Sequence, residues 1–234
     1  MFEFKQFTIE DDRASMKVGT DAVLLGAWAN LPEYGKVTEV GCGCGVIAMM
    51  LAQRNPRLEI TALDIHRPSV EQARENVERA HMENRIEIVE ADFLSWDSTC
   101  DLVISNPPYH EEMLLPPDAA RSNARHTQTL PFEKLIAKSY ELLTPHGSLN
   151  VVLPHTALAK FLRLAQDAKF GLTRITNVVT RPGKAPKRVL LEFQKDTEGL
   201  PFNHLHPGQI PLADECGGGR SAEYSALCAD FYVR

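Results

Sequence analysis

The chain has 234 residues, 44% of them hydrophobic and 24% charged, and a formal net charge of −6. That length suits one α/β domain with additions and a sizeable core. The acidic balance argues against a protein that coats nucleic acid nonspecifically, so any nucleic-acid contact must come from a local basic patch. The opening Met1-Phe2-Glu3-Phe4-Lys5 carries no signal pattern, and no apolar run approaches membrane-spanning length, so a cytoplasmic protein is expected. The five cysteines are an odd number. Cys42 and Cys44 share one tight loop, while Cys100, Cys216 and Cys228 are scattered without metal-ligand spacing, so free thiols and no metal are expected.

In chain order, residues 2–12 mix aromatic and charged side chains as an edge strand or arm would. Asp21 to Ala29 reads as a helix, with Thr20 or Asp21 placed to cap it and Pro32 and Gly35 closing it. Lys36 to Val40 is a short strand running into Glu39-Val40-Gly41-Cys42-Gly43-Cys44-Gly45 and then an apolar helix. Glycines at alternate positions allow a sharp turn and close approach to a ligand, while the helix start aims N–H groups at it. A second strand, Leu58 to Leu63, ends on Asp64, an acid at the spacing that meets ribose hydroxyls. A nucleoside-bearing cofactor follows. The third glycine falls one position short of the dinucleotide pattern, and Glu39 would repel phosphates but suits an amino group. Both features tilt the choice from NAD toward S-adenosylmethionine.

Pro68 opens a helix to about His81, with Val70, Ala73, Val77 and Ala80 on one face. The alternating Ile86 to Val89 is the next strand, and Asp92-Phe93 follow it. There an Asp can accept from an adenine amine and a Phe can pack on the ring, although the same pair also serves as helix cap and core aromatic. Asp101 to Ser105 is a strand that the prolines of Asn106-Pro107-Pro108-Tyr109 stop in a stiff, extended turn. Such a turn can hold a planar exocyclic amine: the Asn106 side-chain oxygen and the Pro107 carbonyl each accept one N–H, and Tyr109 stacks on the base.

Residues 110–129 lack apolar periodicity and carry Arg121, Arg125 and His126, a length of loop that is uncommon unless it binds something. Pro131 to Leu143 reads as a helix, Ser148 to Leu153 as a strand and Thr156 to Ala168 as a basic amphipathic helix. Two β-rich runs, Leu172 to Thr180 and Val189 to Phe193, flank a turn with Arg181, Lys184, Lys187 and Arg188, either a solvated hairpin tip or a phosphate contact. A Pro- and Gly-rich tail ends in a helix-like Ala222 to Tyr232. Alternating strands and helices predict a doubly wound α/β fold with a parallel sheet, its ligands across the strands' C-terminal edge.

The Glu39–Gly45 loop, Asp64, Asp92-Phe93 and Asn106 to Tyr109 resemble the class I S-adenosylmethionine-dependent amino methyltransferases over most of the first 155 residues. Phe4 to Phe7, Met16 to Trp28, Ala124 to Leu130 and Arg188 to Leu191 extend the likeness nearly end to end, to bacterial enzymes that methylate adenine N6 in the tRNA anticodon loop. The resemblance implies a Rossmann-like, mostly parallel seven-stranded sheet in one domain: an arm and helix over 1–35, a core over 36–194 and an extension over 195–234. It implies that Thr20-Asp21 help line the cofactor pocket and that Gly41, Gly43 and Gly45 carry the methionine end. Asp64 would hold the ribose, Asp92 and Phe93 the cofactor adenine, and Asn106, Pro107, Pro108 and Tyr109 the target adenine. Arg121, Arg125, Lys184, Lys187 and Arg188 are the expected RNA contacts. Cys42 and Cys44 fill variable loop positions; His110 directly after the turn departs from the pattern. Methylation of a protein glutamine amide, of another nucleic-acid amine, or a non-catalytic RNA-binding role are the competing readings.

Overall fold

The computed structural model describes residues 1–108, 130–196 and 205–233. Its elements are β1 (Phe2–Glu3), β2 (Thr8–Ile9), α1 (Thr20–Trp28), β3 (Gly35–Val40), α2 (Val46–Arg54), β4 (Leu58–Asp64), α3 (Arg67–Arg79) and β5 (Ile86–Glu90). These are followed by β6 (Cys100–Ser105), α4 (Phe132–Leu142), β7 (Leu143–Pro154), α5 (Leu158–Asp167), β8 (Phe170–Val179), β9 (Pro186–Lys195), β10 (Gly208–Pro211) and α6 (Ala222–Leu227).

Strands β3 to β10 form one sheet in the order β10-β8-β9-β7-β6-β3-β4-β5. All neighbours are parallel except β9, which runs antiparallel to both β7 and β8. The expected seven strands are therefore present, and an eighth comes from the C-terminal extension, which pairs β10 with the outer edge of β8. Covering that edge removes a row of unpaired N–H and C=O groups. Residues 2–9 form a separate two-stranded hairpin, tied to the chain's other end through Lys5 N to Phe231 O at 2.8 Å and a bridge between Phe4 and Tyr232.

Period-two alternation sends each strand's side chains to two cores. Leu58, Ile60 and Ala62 join the core beneath α1, α2 and α3, while Leu63 points to the core beneath α4 and α5. Helix α1 is buried continuously from Ala22 to Trp28, which fits an apolar helix wedged between layers. A Cβ at Gly26 would come within 2.9 Å of Met50 Sδ, so α1 and α2 approach closely only because that position is glycine. The far end of α1 is pinned by Arg174, whose guanidinium lies 3.5 Å from the Trp28 ring centroid and donates to Glu192 at 3.0 Å. Among the described residues, no helix is long and apolar enough to cross a membrane.

Candidate active site

The register of the parallel strands decides which loops meet. Val40 pairs with Leu63 on one side and with Ser105 on the other, and Asp64 pairs with Glu90. The glycine loop, Asp64 and Asn106 thus leave adjacent strands at one level. Ser105 Oγ donates to Val40 O at 2.8 Å, locking the last residue of β6 to the last residue of β3.

In the loop, Gly41, Gly43 and Gly45 have φ of +73°, +54° and +84°, the left-handed region that side chains resist. Gly41 N and Cys42 N both donate to Leu63 O, at 2.8 and 2.9 Å, which folds the loop back over β4. A Cβ on Gly41 or Gly43 would meet nothing within 4 Å, so the loop fronts open space, whereas one on Gly45 would lie 3.4 Å from Ala73 Cβ. The first two glycines leave a cradle and the third lets α3 come close. Cys42 and Cys44 point into the core beneath the helices, where burial raises both thiols, Cys44 to about 12. They remain protonated apolar filling. All five cysteines are free.

Glu39 is 1% exposed, and its Oε2 accepts from Ala48 N at 2.9 Å, capping the first turn of α2 from the neighbouring strand. Burial, reinforced by the nearby Asp64 and opposed by the Ala48 hydrogen bond, pushes its carboxyl up to about 8. Asp64 is a bridge: Oδ2 accepts from Gly43 N and Oδ1 from His66 N, both at 2.8 Å. Each oxygen keeps a second lone pair for a hydroxyl. Ile65 beside it is 48% exposed. It leaves an apolar side chain half open at the strands' C-terminal edge, and the β4 pattern alone did not single it out.

Asp92 is exposed at the same edge, and its Oδ1 caps a short 3-10 turn through Leu94 N at 2.9 Å. Phe93 is 3% exposed within the α4–α5 core. The structure thus gives these two residues the cap-and-core geometry; Asp92 keeps an oxygen toward solvent, but the Phe93 ring offers no open face. Neither Thr20 nor Asp21 caps α1: Gly19 is the N-cap, with extended backbone and no side-chain bond, because Thr20 is already helical. Asp21 instead pairs with Arg188 Nε at 2.7 Å, joining the start of α1 to the start of β9. A residue expected at the cofactor and one expected at RNA are partners.

Asn106 is half-buried, Pro107 buried and Pro108 exposed at the end of β6. The turn between β8 and β9 lies at the same edge of the sheet, because β8 runs parallel with β7; Arg181 and Lys184 are exposed on it, and Lys187 is exposed at the start of β9. Tyr109, His110, Arg121 and Arg125 lie outside the described residues.

Comparison with known proteins places this arrangement. A family model described as methyltransferase small domain matches residues 14–176. The chain is 40% identical to a tRNA1(Val) (adenine(37)-N6)-methyltransferase of Bacteroides thetaiotaomicron, covering 99% of this chain and 97% of the relative. It is also 40% identical to the protein of that name from Aeromonas salmonicida, covering 100% and 97%. A solved structure of a predicted O-methyltransferase from Agrobacterium tumefaciens shares the fold, with a TM-score of 0.71 and 21% identity over 90% of this chain and 96% of that one. With a ligand-edge glycine cradle, an acid at the end of β4 and an Asn-Pro-Pro turn in register beside them, the chain is a methyltransferase that belongs to the methyltransferase small domain family and to the bacterial relatives bearing the tRNA1(Val) (adenine(37)-N6)-methyltransferase name.

Proposed function

We propose that this protein transfers a methyl group from S-adenosylmethionine to N6 of adenine 37 in the anticodon loop of tRNA1(Val), and that it acts in the cytoplasm. The observation that carries the reading is the Val40–Ser105 pairing, which sets the glycine cradle and Asn106 side by side. The residues fit the cofactor: open space before Gly41 and Gly43, two acids, and the first turn of α2. Glu39 and the Gly41–Gly45 loop would hold its amino-acid end, Asp64 its ribose, and Asp92 with Ile65 its adenine. When bound, it supplies an electrophilic methyl group.

The protein's own part is orientation. Asn106 Oδ1 and the Pro107 carbonyl accept the two N–H bonds of the target amine, which turns its lone pair out of the base plane. Tyr109 stacks on the base, which must leave its loop stack to reach it. Fixing the reacting groups in line can contribute roughly 7–11 kcal/mol in well-oriented systems. Acceptor oxygens beside the nitrogen also favour the charge that grows there, and its proton then leaves to water. Arg181, Lys184 and Lys187 hold RNA phosphates, with Arg121 and Arg125 as further contacts, while Arg188 orders the turn through Asp21. The test offers labelled S-adenosylmethionine to unmodified valine tRNA and, in parallel, to a release factor, followed by nucleoside digestion. N6-methyladenosine in the tRNA alone is expected; label in the release factor would overturn the substrate and keep the chemistry.

A further inference from the structure

The strap of residues 10–19, between the N-terminal hairpin and α1, is not held by a sheet ladder. Its backbone is bound by side chains of α3. Glu10 N donates to Asn76 Oδ1 at 3.0 Å, Arg13 N and Ala14 N to Gln72 Oε1 at 2.8 and 3.0 Å, and Ser15 N to Ser69 Oγ at 3.0 Å. In return Asn76 Nδ2 donates to Glu10 O at 2.8 Å and Gln72 Nε2 to Asp12 Oδ1 at 2.5 Å. Positions 69, 72 and 76 fall on one helical face, and all three side chains are 0% exposed. Burying three polar side chains is costly unless each is satisfied, and here the strap satisfies them.

The same row reaches the glycine loop. Asn76 Nδ2 also donates to Cys44 O at 3.0 Å. Ser69 Oγ lies 2.7 Å from His66 Nδ1, and His66 N binds the Asp64 carboxylate that accepts from Gly43 N. The strap runs antiparallel to α3, from Asn76 to Ser69 at the ligand edge. It then continues to Thr20, whose neighbour Asp21 pairs with Arg188 on β9. Residues 16–19 therefore cross the ligand edge from the α3 side toward β9, past the strand that carries the glycine loop.

We propose that Ser69, Gln72 and Asn76 are positioning residues that hold this strap as the outer wall of the cofactor cleft, coupling strap order to cofactor binding. The inference rests on the cofactor reading above. Arg13 and Lys17 place two trypsin sites in the strap, so its order is read directly. The full chain is digested with and without S-adenosylhomocysteine, and the affinity for that probe is measured by calorimetry, for wild type, Gln72→Met and Ser15→Pro. Ser15→Pro removes one strap N–H at an exposed position and changes no residue of α3, whose Ser69 hydroxyl keeps its contact with His66, so it decides the matter should Gln72→Met disturb the helix. The expected result is that S-adenosylhomocysteine protects the wild-type strap, while both variants are cut faster without it. Both should bind it about tenfold more weakly, a typical coupling between sites. KM for S-adenosylmethionine should rise in step, with kcat nearly unchanged. Faster cutting with unchanged affinity would overturn the coupling, and unchanged cutting would overturn the role of the row. Wild-type protein that binds no S-adenosylhomocysteine would overturn the cofactor reading itself, and the coupling with it.

Discussion

Glu39 makes the ligand-free protein sensitive to pH. Its carboxyl is raised from 4.5 to about 8, chiefly by burial, so the folded state holds this proton more tightly than the unfolded chain. For a group raised on folding, the stabilising contribution is complete below the unfolded value and is lost as pH climbs through the folded one. The window therefore runs from about 4.5 to about 8. Glu39→Gln keeps the shape and an oxygen to accept from Ala48 N, but removes the titration. At about 1.36 kcal/mol per pH unit, the wild type should lose roughly 2–3 kcal/mol relative to the variant between pH 5 and pH 7. Denaturant unfolding of both proteins at several pH values measures this, and subtracting the variant cancels the titrating groups that Glu39 does not touch, leaving Glu39 and its coupling to Asp64. Parallel curves would refute the assignment of a buried, protonated Glu39. The same chemistry predicts proton release when S-adenosylhomocysteine binds near pH 7, because an ammonium beside Glu39 favours its ionised form; identical binding heats in buffers of different ionisation enthalpy would contradict it.

Other expectations concern the remaining parts of the site. Asn106→Ala should cost at least about a hundredfold in methyl transfer, by analogy with removing one transition-state hydrogen-bond partner, and keep S-adenosylhomocysteine binding. An Asn106→Ala enzyme of normal activity would remove the turn from the mechanism. Asp64→Ala strands the Gly43 and His66 amides, and should destabilise the protein by roughly 2–3 kcal/mol even without cofactor, read as a lower melting temperature. Lys184→Glu with Lys187→Glu should weaken tRNA binding and reduce its salt dependence by about one unit of slope per lost phosphate contact, with S-adenosylhomocysteine affinity unchanged. RNA affinity equal to wild type in that variant would move the docking face elsewhere.

The parts of the site legible in the sequence are those whose signal is local to the backbone. Alternate glycines announce left-handed φ whatever surrounds them, and Gly41, Gly43 and Gly45 all adopt it. Two prolines stop a strand unaided, and β6 ends at Ser105, directly before Asn106. An acid after a β-run needs only the strand to be placed, and Asp64 closes β4. The parallel sheet followed from alternating elements, because a parallel pair requires a crossover.

What the sequence left open depends on partners far along the chain. Nothing local to Asp21 names Arg188, and nothing local to Ser69, Gln72 and Asn76 separates a buried polar row from a solvated face. The Pro- and Gly-rich tail gave no reason to expect β10 on the sheet, since an edge is covered by whichever segment the fold brings to it. Phe93 had two uses open to it, and packing against the α4 layer took its ring into the core. By itself, then, the sequence determined where the chain must turn and which chemical groups stand at those turns, because φ preferences, missing N–H groups and hydrophobic period act within a few residues. Only the tertiary structure decided which of those groups meet, which are already spent on one another, and that the strap is fastened to the glycine loop, because those outcomes depend on register and packing between segments the chain separates.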